Sequence, residues 1–211
     1  MTADGFFDHH QRATVEAAMA RIIPTDDLPG AREAGTIDFL DRYLAGLGSI
    51  YAKPDGSGFE NLVGKQAEAW QRRLDIIRLR YVAGIAELDG RSRTAFGAEF
   101  IRLTTSQQDT ILAEMEPRDT RSARDGDGDA APLQQTKAEI DLDFFPLLCV
   151  HTRQGFYADP IYGGNREHIG WEVIGFRGPA SMAEVYSGRY STLAWFAEQQ
   201  PAHEEEVERD A

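Results

Sequence analysis

Residues 59–88 read FENLVGKQAEAWQRRLDIIRLRYVAGIAEL. Within them Trp70, Leu74, Ile77, Tyr81, Ile85 and Leu88 recur at spacings of three and four, the interval that returns a side chain to one face of an α-helix. A half-buried strand would alternate with period two, and no such alternation is present. The stretch therefore predicts one long helix with a single buried seam, weakened slightly by Gly84. Working outward, residues 8–23 place Val15, Ala18, Met19, Ile22 and Ile23 on one face, and Pro24 ends that helix. A turn-rich connector at 24–30 leads to a helix at 35–47 with the stripe Ile37, Leu40, Leu44 and Leu47. On the other side, 106–116 reads as a helix with Ile111, Leu112 and Met115 inward, and with Thr105 and Gln108 spaced as a capping box. Residues 137–155 return to helix around Phe144, Phe145, Leu147, Leu148 and Val150, with Pro146 in the first turn. A short final helix is expected within 181–200, around Tyr186, Leu193, Trp195 and Phe196. No internal repeat and no βαβ alternation interrupts this pattern. The expected architecture is all-α: an irregular helical bundle with long ordered loops.

A chain of 211 residues suits one large domain, here residues 1–179, followed by an extension at 180–211 that ends in an acidic tail. Residues 117–135, PRDTRSARDGDGDAAPLQQ, lack aromatics and carry one large aliphatic side chain, so they read as a mobile acidic loop within the domain. The net charge of −13 argues against nucleic-acid binding and against docking on anionic lipid. No run approaches the roughly 20 apolar residues that span a bilayer. The start, MTADGFFDHHQRATVEAA, has no basic segment, apolar core or twin arginine, so the chain as written is expected in the cytoplasm. The periplasm is the alternative if a partner carries the export signal. The single cysteine, Cys149, excludes a disulfide framework within the chain and reads as a buried, inert thiol, with a bond to a partner as the alternative.

No catalytic constellation stands out. Asp125, Asp127 and Asp129 mimic the start of a calcium loop, but Ala130 and Thr136 stand where that loop needs Gly and Glu. The five histidines show no i, i+4 pairing of metal ligands. Gly163-Gly164 lacks the Lys-Ser or Lys-Thr ending and the third glycine of phosphate loops, and Ser181 and Ser187 lack the nucleophile elbow. Catalytic, cofactor and metal residues are therefore expected to be absent from this chain.

Two irregular segments remain. The first is the turn at 22–35, where Asp26, Arg32 and Glu33 are positioned to fix the backbone by charge-assisted bonds. The second is 155–179, GFYADPIYGGNREHIGWEVIGFRGP, which holds six glycines, two prolines and five aromatic residues. Asp159-Pro160 favours turn initiation, and Asn165 after Gly163-Gly164 tolerates the left-handed conformation. Such a segment can hold Phe156, Tyr157, Tyr162 and Trp171 in one rigid constellation. These rings either cap the helical core or anchor a partner, and a loop can do both.

In these two segments the sequence resembles a known family. IIPTDDLPGAREAG at 22–35 is similar to the N-terminal signature of the gluconate 2-dehydrogenase subunit 3 family. GFYADPIYGGN at 155–165, continued by Gly170-Trp171 and Ile174-Gly175-Phe176, looks like its second signature. The resemblance covers roughly residues 7–179. It implies a small, non-catalytic subunit that binds, stabilises or matures a large FAD-dependent subunit of the glucose-methanol-choline (GMC) type, a sugar or sugar-acid 2- or 3-dehydrogenase. FAD would sit in that partner, and a cytochrome c or another acceptor would take the electrons. Phe156, Tyr157, Asp159, Pro160, Tyr162, Gly163, Gly164, Asn165, Trp171 and Phe176, with Asp26, Arg32 and Glu33, would be interface or loop-organising residues. Two alternatives stay open. One is a stand-alone sugar-binding domain using Asp159, Asn165 and Glu172, and the other is a chaperone that leaves once the flavoprotein has folded.

Overall fold

The computed structural model describes residues 5–116, 138–180, 182–191 and 193. Among them run α1 (His9–Ile22), α2 (Thr36–Ala45), α3 (Gly64–Phe96), α4 (Thr105–Met115), α5 (Phe144–Tyr157), α6 (Ile169–Val173) and α7 (Met182–Tyr186). The β-type pairing among the described residues is one isolated bridge, Ala52 to Phe59. The all-α expectation holds. The loop at 117–135 with its calcium-like acids, Trp195, Phe196 and the acidic tail lie outside the described residues.

The long helix is displaced from its expected bounds at both ends, for separate reasons. It begins at Gly64 rather than residue 59, because Phe59 and Glu60 are held in extended pairing: Glu60 N donates to Tyr51 O at 2.8 Å. It continues past Leu88 to Phe96 because polar side chains take over its inward face. Asp89 and Ser92 are buried there, and Asp89 accepts from Phe100 N at 3.1 Å and contacts His10 Nε2 at 2.6 Å. Gly97, at φ 75°, then closes the helix with its N–H on Arg93 O.

α1 starts on a capping box in which Asp8 accepts from Gln11 N at 2.8 Å and Gln11 accepts from Asp8 N at 3.2 Å. In α4 the box is Thr104 with Gln107, one residue earlier than expected. Gln108 is turned inward instead, and its side-chain amide donates to Phe100 O at 3.0 Å. α7 stops at Tyr186, where Gly188 turns the chain at φ 72°; Leu193 is again helical, and the rest of the expected final helix lies outside the described residues. The extension folds back on the domain: Tyr190 Oη donates to Arg177 O at 2.9 Å, and its ring meets Phe176 edge-on.

Most of the predicted stripes make the core, while Trp70, at the start of the long seam, is only partly buried. Leu74, Ile77, Tyr81, Ile85 and Leu88 of α3 meet Val15, Ala18 and Met19 of α1, Ile37, Leu40 and Leu44 of α2, and Leu147 and Leu148 of α5, all fully or almost fully buried. Each of the Val, Leu, Ile and Met side chains among them contributes about 1.5–3 kcal/mol through removal from water. α5 packs along α2 and reaches Tyr157, two residues beyond its expected end. Gly84 has a packing role. The Phe144 ring lies directly on the α3 backbone there, where a Cβ would occupy the ring's own space, and it meets Tyr81 edge-on at 5.6 Å.

Candidate functional site

The two irregular segments, about 130 residues apart in sequence, are bound to each other. Arg166 N donates to Ala34 O at 2.9 Å, and the Arg166 guanidinium reaches Asp38 Oδ2 at 2.7 Å, just past the first segment. Arg42 on α2 donates to Ile161 O at 3.0 Å. Within the first turn, Glu33 Oε2 accepts from Thr25 Oγ1 at 2.6 Å and from Gly30 N at 2.9 Å, and the Thr25 bond leads in holding the Glu33 carboxyl below its ordinary range. Asp26 accepts from Leu28 N at 2.9 Å. Arg32 departs from expectation: its side chain is exposed, makes no hydrogen bond among the described residues and acts on the turn through its charge on Glu33, while its backbone carbonyl accepts from Gly35 N at 3.1 Å.

The second segment is built around Asn165. That residue is fully buried at φ 47°; its Nδ2 donates to Ala158 O at 2.9 Å and its Oδ1 accepts from Gly170 N at 2.8 Å. Glu167 and His168 follow at φ 55° and 63°, a run of left-handed residues that costs energy unless its surroundings enforce it. Asp159 accepts from Ile161 N at 2.9 Å, and Pro160 opens a short 3₁₀ turn, as the Asp-Pro pair predicts. Gly164 is pressed on backbone, since a Cβ there would meet Gly155 O. The Gly163-Gly164 pair is thus filled by the protein's own chain rather than open to a phosphate.

The rings of this segment divide by exposure. Phe156 is fully buried, and Trp171 is 6% exposed with its indole N–H on Tyr157 O at 2.7 Å and Phe176 edge-on at 5.4 Å. These three organise the loop from within. Tyr157, 39% exposed, and Tyr162 instead line a cavity of about 460 Å³ together with Phe39, Tyr43, Tyr51 and Trp70. Trp70 Nε1 donates to Tyr51 Oη at 3.2 Å, Arg73 stacks over the Trp70 ring at 4.9 Å, and Tyr162 Oη accepts from Ala52 N at 3.3 Å.

Behind the cavity lies a polar network. Arg73 and Glu139, which line it, are ion-paired, and Tyr43 Oη donates to Glu139 at 3.3 Å. His151 Nε2 also donates to Glu139, since a carboxylate only accepts, and His151 Nδ1 meets Tyr81 Oη at 2.8 Å. His151 and Tyr81 are fully buried. Burial pushes the Glu139 carboxyl up, but its bonds and charge contacts with His151 and Arg73 outweigh burial and hold it at about 2. Burial likewise pushes the Tyr43 and Tyr81 phenols upward. Both nitrogens of His151 are engaged, and His151 does not line the cavity, so the network braces a wall instead of presenting a base to a ligand.

Sequence reasoning missed Tyr43, Tyr51, Trp70, Arg73, Glu139 and His151 as one site. His151 carried a signal, lying at i+7, i+4 and i+3 from the buried Phe144, Leu147 and Leu148. Glu139 carried none. The proposed sugar ligands do not converge: Asn165 is buried with both ends bonded, and Asp159 caps the following turn. Cys149 is half-buried, and burial pushes its thiol up. Among the described residues no three His, Cys, Asp or Glu side chains are grouped to hold a metal, and no helix is long and apolar enough to cross a membrane.

Comparison with curated proteins and with solved structures returns no match in either set. A family model described as gluconate 2-dehydrogenase subunit 3 matches residues 9–178, spanning both bound segments and the helices between them. On that match, the chain belongs to the gluconate 2-dehydrogenase subunit 3 family.

Proposed function

We propose that this chain is the non-catalytic small subunit that binds a large FAD-dependent dehydrogenase of the GMC type and stabilises or matures it. The flavin, the sugar or sugar-acid substrate and any cytochrome c acceptor then belong to the partners. The observation that carries this reading is the mutual clamping of the family's two signature segments, Ala34 to Arg166, beside an aromatic cavity whose charged groups are ion-paired with one another. That is an arrangement suited to recognition, with the rigid part inside and Tyr51 and Tyr157 left outside. The cytoplasm is the compartment proposed, or the periplasm if the large subunit carries the export signal.

The test is to express a GMC-type FAD-dependent large subunit with and without this chain. Flavin loading and dehydrogenase activity should both fall when the chain is omitted, and the two proteins should co-purify in a fixed ratio. Equal loading and activity in both preparations would reject the proposal. Release of the small chain after maturation would select the chaperone alternative.

A further inference from the structure

We infer that the aromatic cavity receives a proline-rich extended segment of the partner subunit. This rests on the reading that another subunit covers this face. Six aromatic side chains line the cavity, and its charged pair is self-neutralised: the Glu139 carboxylate is held by Arg73, His151 and Tyr43. An anionic or cationic ligand therefore meets no unpaired opposite charge. A sugar offers several hydroxyl donors, each needing an acceptor once buried; the one carboxylate in the cavity is already occupied, which leaves few side-chain acceptors, Gln154 Oε1 and Tyr157 Oη among them. The cavity also presents spare donors. Tyr51 Oη accepts from Trp70 Nε1, which leaves its own proton for an outside acceptor. Tyr157 Oη makes no hydrogen bond among the described residues, and neither does the exposed side-chain amide of Gln154.

The occupant that matches has apolar rings, unpaired carbonyl acceptors and few donors. A polyproline II segment is that occupant: its proline rings stack on aromatic faces, its carbonyls are free, and proline has no N–H to leave unsatisfied. A helix or a strand end would bring backbone N–H groups or ladder edges that this cavity does not complement.

The test uses the full chain and an octaproline peptide, followed by tryptophan fluorescence and calorimetry. Saturable binding at sub-millimolar concentration is expected, with about threefold or greater weakening in each of Tyr51→Phe and Tyr157→Phe, which remove only the hydroxyls. A Gly-Ser peptide of equal length should bind far more weakly. Three outcomes overturn the inference: no saturation by about 10 mM peptide, unchanged affinity in both hydroxyl-less variants, or saturable binding of glucose or gluconate that competes with the peptide. Co-purification with the flavoprotein is scored separately. A chain that ignores octaproline yet co-purifies removes this inference alone, and one that binds octaproline but neither co-purifies with the flavoprotein nor changes its flavin loading and activity removes the subunit reading, and with it the partner named here, while leaving a proline-binding cavity.

Discussion

Asn165 does two jobs that no other residue type combines. It adopts the left-handed conformation with less strain than most side chains, and it bonds Ala158 O and Gly170 N across the loop from a fully buried position. Asn165→Ala adds strain and leaves both backbone groups short of a partner. A loss of about 2–4 kcal/mol is expected, read from the denaturant midpoint. Asn165→Gly removes the bonds but not the conformation, so it should fall between the two; a Gly variant as damaged as the Ala variant would mean that strain plays no part. Glu139 gives the pH counterpart. Its carboxyl sits at about 2 in the fold and near the ordinary glutamate value when unfolded. A lowered value in the fold means that its contribution is complete above about pH 4.5 and is lost as pH falls from there towards 2. Glu139→Gln should cost on the order of 2 kcal/mol at pH 7, and the gap to the natural chain should close below pH 4. A gap that stays constant from pH 7 to pH 3 would show that the carboxylate's charge is not what the network uses.

At the scale of elements, Gly84 decides how α3 and α5 cross. By helix propensity alone, Gly84→Ala should stabilise by about 1 kcal/mol. The Phe144 ring occupies the space a Cβ would take, and that ring is itself fixed against Tyr81. Displacing it from a packed core costs about 1–3 kcal/mol or more, so packing outweighs propensity and a net loss in thermal midpoint is expected. A rise would show that Phe144 moves freely. The same crossing explains what periodicity could and could not reveal. The stripe from Leu74 to Leu88 was legible because one face met apolar neighbours throughout. Its continuation to Phe96 was not, because Asp89 and Ser92 are buried through bonds and packing that only the fold supplies. Likewise the capping box of α4 falls on Thr104 and Gln107 rather than the expected Thr105 and Gln108, because Gln108 is turned towards Phe100 O, a tertiary bond that spacing does not encode. The irregular segments were recognisable as special by composition. That they touch, and that Tyr157 and Tyr162 share a cavity with Trp70 and Tyr51, depends on tertiary distances that no local pattern encodes.

For the whole molecule, the core runs without interruption from α1 through α5, and the second segment is tied onto α2 by Arg42 and Arg166. Among the described residues that core forms one continuous apolar cluster. The free chain is therefore expected to unfold in one cooperative transition, with the signature segments lost together with the helices. A partner that binds only the folded form adds RT ln(1 + [L]/Kd), about 2.7 kcal/mol at a hundredfold excess over Kd. For a domain of this size that corresponds to a rise of roughly 5–10 °C. Scanning calorimetry of the small chain, the flavoprotein and their mixture distinguishes the roles. A permanent subunit gives one joint transition above that of either component, and the rise should grow with protein concentration. Two transitions at the positions of the separate proteins would mean that the chain acts during maturation and holds nothing afterwards, whatever its effect on flavin loading.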